Sequence, residues 1–147
     1  MLKKAIFILL LSFAYINLVS AQTNDQDSPK NSKFYYFTKS GLLTTLRDSA
    51  YFTRIMTPDS AGNKLYILED VYYNGKTRLK GKSLTSGPYF KGQGDFTRYY
   101  PDGQVQETVT YENGKLTGQR MAYYANGKMQ ESALYADGKP TGERVTY

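Results

Sequence analysis

Apolar and polar positions alternate in short runs along most of this chain, and each run closes on a glycine-containing turn. Period two is the signature of half-buried strands, because successive side chains in a strand point to opposite faces. Phe34 to Phe37 (FYYF) predicts a first strand, Thr38 to Gly41 a turn, and Ala50 to Met56 (AYFTRIM) a second strand. Residues 57–63, with Pro58, Asp59 and Gly62, predict a loop. Leu65 to Tyr73 predicts a longer strand that turns at Asn74-Gly75, and Arg78 to Leu84 returns antiparallel to it. Asn-Gly between two apolar runs is a strong local hairpin signal.

From Gly94 onward the chain repeats itself. Gly94 to Thr117 reads GDFTRYYPDGQVQETVTYENGKLT, and Gly118 to Thr141 reads GQRMAYYANGKMQESALYADGKPT. Without gaps the two copies share the residue pairs Gly94/Gly118, Tyr99/Tyr123, Tyr100/Tyr124, Gly103/Gly127, Gln106/Gln130, Glu107/Glu131, Tyr111/Tyr135, Gly114/Gly138, Lys115/Lys139 and Thr117/Thr141. A further copy opens at Gly142 (GERVTY), and a degenerate earlier one spans 66–93. Each unit of roughly 24 residues predicts one hairpin. It has a strand near 95–100, a turn at Pro101-Asp102-Gly103, a second strand near 104–111, and a turn over Glu112 to Thr117 before the next unit. The fold class is therefore all-β: an antiparallel β-meander of tandem hairpins in a single elongated sheet. One hairpin is marginal alone, so neighbours supply the core. The strand predicted in the last copy is a sheet edge, which needs cover or a partner such as a second copy of the chain.

Strict alternation assigns faces. Thr97 and Tyr99 share one face with Met121, Tyr123, Val145 and Tyr147, while Phe96, Arg98 and Tyr100 take the other. In the second strand Val105, Glu107, Val109 and Tyr111 fall together, matched by Met129, Glu131, Ala133 and Tyr135. Equivalent tyrosines then stand about 10 Å apart, two strand spacings, and form ladders. Tyr99, Tyr123, Tyr147, Tyr111 and Tyr135 are the candidate binding surface. Structural packing is the competing role for the same rings.

The N-terminus has a different texture. Lys3 and Lys4 precede an apolar run over residues 5–11 and 13–19, and Val19-Ser20-Ala21 places small or compact residues before Gln22. This predicts an export signal over 1–21, cleaved after Ala21, and a protein of the periplasm or cell exterior. The run is short for a membrane-spanning helix. Residues 22–33 (QTNDQDSPKNSK) contain no large apolar side chain and predict a disordered linker ahead of an N-terminal β segment over 34–65.

Composition narrows the chemistry. The 147 residues include no Cys, no His and no Trp. Ser-His-Asp and Cys-His nucleophile systems, disulfides, thioether lipid anchors and the common zinc sites are excluded on that ground. Glu107 and Glu131 share a face, but repetition alone explains them, and an open sheet offers no cleft for glycoside hydrolysis. No catalytic, cofactor-binding or metal-binding residues are expected, and the chain is expected not to be an enzyme. The formal charge is +6, of which Lys3 and Lys4 account for two. The remaining basic residues are scattered rather than clustered, which argues against nucleic acid as a partner.

Tyr123-Tyr124-Ala125-Asn126-Gly127-Lys128 and Tyr135-Ala136-Asp137-Gly138-Lys139-Pro140-Thr141-Gly142 resemble the MORN-repeat variant found in many bacterial proteins. The resemblance covers 94–147 and extends more loosely over 66–93. Residues 34–65 resemble the leading segment of exported Bacteroidetes-type members. The resemblance implies no catalytic residue. It carries the label YwqK-like antitoxin, a component of toxin–antitoxin systems, and it associates such repeats with membrane lipid and with protein assembly. An antitoxin for a cytosolic toxin stays in the cytosol, which an export signal opposes. The expectation from sequence is a noncatalytic protein-binding or scaffold module of the cell envelope, with an unidentified envelope protein as partner. Its alternatives are contact with an anionic lipid surface and an antitoxin or immunity role.

Overall fold

The computed structural model describes residues 31–147; the predicted export signal and most of the predicted linker lie outside them. The described strands are β1 Lys33–Phe37, β2 Leu43–Thr44, β3 Phe52–Pro58, β4 Tyr66–Tyr72, β5 Thr77–Ser83, β6 Gly94–Tyr99, β7 Val105–Glu112, β8 Lys115–Tyr123, β9 Met129–Ala136, β10 Lys139–Pro140 and β11 Val145–Thr146. They form one open antiparallel sheet ordered β10-β9-β8-β7-β6-β5-β4-β3-β1-β2, with β11 also on β9. From β3 to β10 the chain is a plain meander. At the other end β1 lies between β2 and β3, because a short 3-10 turn at Arg47–Ser49 carries the chain back across β1.

Two kinds of turn alternate along the meander. Within the hairpins of β4–β5, β6–β7 and β8–β9, a tyrosine N–H donates to a carbonyl four residues on, and a glycine N–H returns to that tyrosine's own carbonyl. The tyrosines are Tyr72, Tyr100 and Tyr124, and the glycines Gly75, Gly103 and Gly127. Asn74, Asp102 and Asn126 each accept the N–H two residues ahead, at 3.1, 2.9 and 3.0 Å. Between hairpins the turns are tighter: Asn113-Gly114 and Asp137-Gly138 all have positive φ. That is the two-residue turn whose twist matches the flanking strands. The turn predicted over Glu112 to Thr117 therefore needs only its central Asn-Gly, and Lys115 already begins β8.

Small boundary differences have similar causes. Thr57 and Pro58 extend β3, although Pro58 was assigned to a loop; it sits at the strand's last position. Lys33, read as the end of the linker, opposes Met56 and opens β1. The last strand, whose partner the sequence left open, pairs inside the chain: Val145 opposes Ser132 and Thr146 opposes Glu131.

The core lies on one face only. Met56, Leu68, Leu79, Phe96 and Val109 form it, one from each of β3 to β7, with Tyr35, Tyr66, Phe90, Tyr111 and Leu116 packed around them. Full burial of such side chains contributes roughly 1.5–3 kcal/mol each. The segment 84–93 folds over this face. Its Pro88 carbonyl accepts from Arg54 at 2.7 Å, its Ser86 carbonyl accepts from Tyr35 Oη at 2.8 Å, and Phe90 stacks on Phe96 with centroids 5.1 Å apart. Gly81 makes room for Phe96: a Cβ there would stand 2.5 Å from the ring.

Candidate functional site

Alternation predicts faces correctly only where register is unbroken, and the hairpins β4–β5, β6–β7 and β8–β9 each contain a β-bulge. Asp70 opposes Leu79 but Val71 opposes Thr77, leaving Arg78 as the extra residue. Likewise Arg98 opposes Glu107 while Tyr99 opposes Val105, and Ala122 opposes Glu131 while Tyr123 opposes Met129. Gln106 and Gln130 are the extra residues there. Residues paired across a ladder share a face. Val105 and Met129 therefore lie with Tyr99 and Tyr123, opposite to Glu107 and Glu131. This corrects the assignment from strict alternation: one inserted residue inverts every side chain beyond it.

The five candidate tyrosines consequently do not make one surface. Tyr111 and Tyr135 lie on the core face. The Tyr111 ring meets Phe96 edge-on at 5.0 Å and Phe90 at 6.1 Å, and Gly92 leaves space for it. Burial, then the charge of Glu107, pushes the Tyr111 hydroxyl pKa up. Its ring belongs to the core. Tyr135 is half-buried opposite Gly118 and Pro140. Tyr99, Tyr123 and Tyr147 take the opposite face. Tyr99 and Tyr123 are half-buried among their neighbours, and Tyr147 is 65% exposed. The Lys80 Nζ stands 5.5 Å from the Tyr99 ring centre, and its interaction with Tyr99 raises the ammonium pKa.

A second tyrosine set was not singled out in the sequence as linking repeats. Tyr72 Oη donates to the Tyr99 carbonyl at 2.9 Å, and Tyr100 Oη donates to the Tyr123 carbonyl at 2.8 Å. Two of the three corner tyrosines thus tie their hairpins to the next. In the Tyr99-Tyr100 doublet the first member supplies the carbonyl of one link and the second the hydroxyl of the other. Burial raises the Tyr72 hydroxyl pKa, against the lowering influence of Arg78 and Arg98.

The core face also carries a row of charges across the sheet. Asp70, 0% exposed, accepts from Arg54 Nε at 2.7 Å, Arg54 Nη2 at 2.9 Å and Arg78 Nη1 at 2.9 Å. Glu107 accepts from Arg120 at 2.6 Å and from Arg98 at 3.4 Å. Glu131 accepts from Arg120 at 2.8 Å and also from Arg144. Burial works to lower the Arg120 pKa, but the hydrogen bond and charge of Glu107 and the charge of Glu131 outweigh it. The two glutamates that repetition brought together are thus each shared between two guanidinium groups. The depression between Leu79, Phe90, Phe96 and Arg98 holds about 10 Å³, room for about one water molecule and far below a ligand cleft.

The residue 94–141 hairpins have the repeat length, the turn chemistry and the doublet tyrosines in place. The MORN repeat variant model matches residues 93–113 and 116–137. Each matched segment is one hairpin, β6–β7 and β8–β9. The β4–β5 hairpin has the same corner turn and bulge, and its Tyr72 hydroxyl link matches that of Tyr100. No curated protein and no solved structure matches the chain.

Proposed function

We propose that this chain is a noncatalytic scaffold of the cell envelope that binds a protein partner through the uncovered face of its repeat sheet. The observation that carries this reading is the asymmetry of the sheet. Segment 84–93 covers one face over the core, while the other presents Ile67, Leu134 and Val145, all at least 44% exposed, on the same side as Tyr99, Tyr123 and Tyr147. Rigid aromatic rings on a regular lattice are efficient contact residues, since they bring large area at small entropic cost. Export by the N-terminal signal sets the compartment in this proposal, and an antitoxin role would require the toxin to meet the chain there.

The test uses the protein as bait in crosslinked envelope extract beside a Tyr99→Ser, Tyr123→Ser, Tyr147→Ser variant. The corner hydrogen bonds use the carbonyls of Tyr99 and Tyr123, not their rings, so the variant retains them. A specific protein recovered by the wild type and lost by the folded variant is the expected result. Equal recovery by both would refute the surface.

A second reading rests on a different place. Leu42, Leu43 and Leu46, exposed by 67, 48 and 66%, cluster around the β2 edge near Lys39 and Arg47. Apolar side chains flanked by cations suit an anionic lipid surface. It predicts sedimentation with anionic vesicles that salt weakens and that Leu42→Ser with Leu46→Ser abolishes.

A further inference from the structure

The row of charges that crosses the core face through Arg54 and Asp70 alternates in sign with a single interruption. In spatial order they are Arg54, Asp70, Arg78, Arg98, Glu107, Arg120, Glu131 and Arg144. Every neighbouring pair is of opposite sign except Arg78 and Arg98, on the adjacent strands β5 and β6. Among the described residues no carboxylate side chain stands between them.

The bulge in β5 creates this juxtaposition. As the extra residue, Arg78 shares the face of Leu79, and Leu79 is directly opposed to Arg98. In the later hairpins the corresponding position is Gln106 or Gln130, so only here does the bulge present a cation. The Arg78 guanidinium is fixed from behind by the Phe52 ring at 4.1 Å and from one side by Asp70. Arg98 makes one long bond, to Glu107. Among the described residues, Nε and Nη2 of Arg78 and both Nη groups of Arg98 have no protein partner. The two side chains are 22% and 31% exposed, accessible yet shielded. The pairing is felt electrostatically: burial first, then the charge of Arg98, lowers the Arg78 pKa.

We propose that Arg78 and Arg98 form a binding site for a carboxylate group, which bridges the two guanidinium groups and completes the alternation. The chemistry follows from the row itself. Asp70, Glu107 and Glu131 each use one carboxylate to join two arginines, and the fork geometry of guanidinium suits a planar carboxylate. The carboxylate comes from an acidic side chain of a partner or from a small acid. This site lies on the opposite face from Tyr99 and Tyr123 and does not depend on the proposed envelope role.

The experiment follows the arginine Nε–H resonances of ¹⁵N-labelled protein while acetate, a blocked Ala-Glu-Ala tripeptide or inorganic phosphate is added at constant ionic strength. Acetate is expected to shift Arg78 and Arg98 saturably, with a midpoint on the order of 10 mM, and to leave Arg144 unmoved. Arg78→Gln installs the residue that the other hairpins carry. It keeps the amide spectrum elsewhere and weakens acetate at least tenfold; Arg98→Gln does the same by the other partner. Tripeptide binding as tight as acetate assigns the site to a protein side chain, and acetate binding with tripeptide exclusion assigns it to a small acid. Uniform shifts of every arginine, or shifts unchanged in both variants, would overturn the site. Phosphate more than tenfold tighter than acetate would overturn the carboxylate assignment.

Discussion

Asp70 offers the sharpest test of the charge row as a structural device. Its side chain is fully buried, and it is the counter-ion of Arg54, itself 6% exposed. Replacing Asp70 with Asn preserves shape but removes the charge, so Arg54 remains buried without compensation. Breaking a buried pair in this way costs about 3–5 kcal/mol, a large share of the 5–15 kcal/mol typical of a folded domain. With a urea dependence of roughly 2 kcal/mol/M the midpoint falls by about 2 M. Urea unfolding followed by circular dichroism measures it. The double change Arg54→Met with Asp70→Leu removes both charges and replaces them with apolar volume. It is expected within about 1 kcal/mol of wild type, because desolvating two ions costs nearly what their attraction returns. An Asp70→Asn loss below about 1 kcal/mol, or a double variant as damaged as the single one, would refute the claim that the cost is an uncompensated buried cation.

Four further outcomes follow from the geometry. Tyr100→Phe removes the hydroxyl link to the Tyr123 carbonyl and lowers stability by about 1 kcal/mol, whereas Tyr124→Phe, whose hydroxyl has no protein partner among the described residues, changes it little; urea unfolding compares them. Gly114→Ala places a Cβ at φ +84° and costs roughly 1–2 kcal/mol in thermal unfolding, while Gly87→Ala, with ordinary φ and open surroundings, is neutral. Gly81→Ala drives a methyl group into the Phe96 ring and costs about 1–3 kcal/mol, partly recovered by Phe96→Leu. Tyr72 and Tyr111 have hydroxyl pKa values raised by burial, so their stabilisation is complete below about pH 10 and is lost as pH rises through the folded-state values. Absorbance titration at alkaline pH then shows these two ionising late, and Tyr111→Phe flattens the alkaline fall in stability.

Much of the architecture was readable because local rules and the global fold agree. Asn-Gly and Asp-Gly mark the hairpin ends, the repeat of Gly94 to Thr117 in Gly118 to Thr141 sets the unit, and Phe96 shares a face with Arg98 as alternation assigns. The N-terminal order β2-β1-β3 was less legible. Residues 42–51 have no periodic pattern to show that the chain doubles back across β1, and β2 contains only two residues.

The site was harder to read than the fold for one physical reason. A bulge adds a residue without adding a turn, so nothing in composition or turn chemistry announces it, yet it inverts the faces beyond it. Strict alternation from Tyr111 back to Val105 places one continuous stripe on one face. The bulge at Gln106 cuts that stripe, sends Val105 to the Tyr99 side, and leaves Glu107 to meet Arg98. The same device at Arg78 brings a cation onto the core face that alternation would send to the other. The repeat contains the clue in its exceptions. Where a hairpin keeps Gln at the bulge, its neighbours can pair their charges completely; where Arg replaces Gln, the row acquires two adjacent cations. A substitution confined to one unit of a repeat changes the local chemistry without altering the lattice, so Arg78 is where the charge row departs from its repeating pattern.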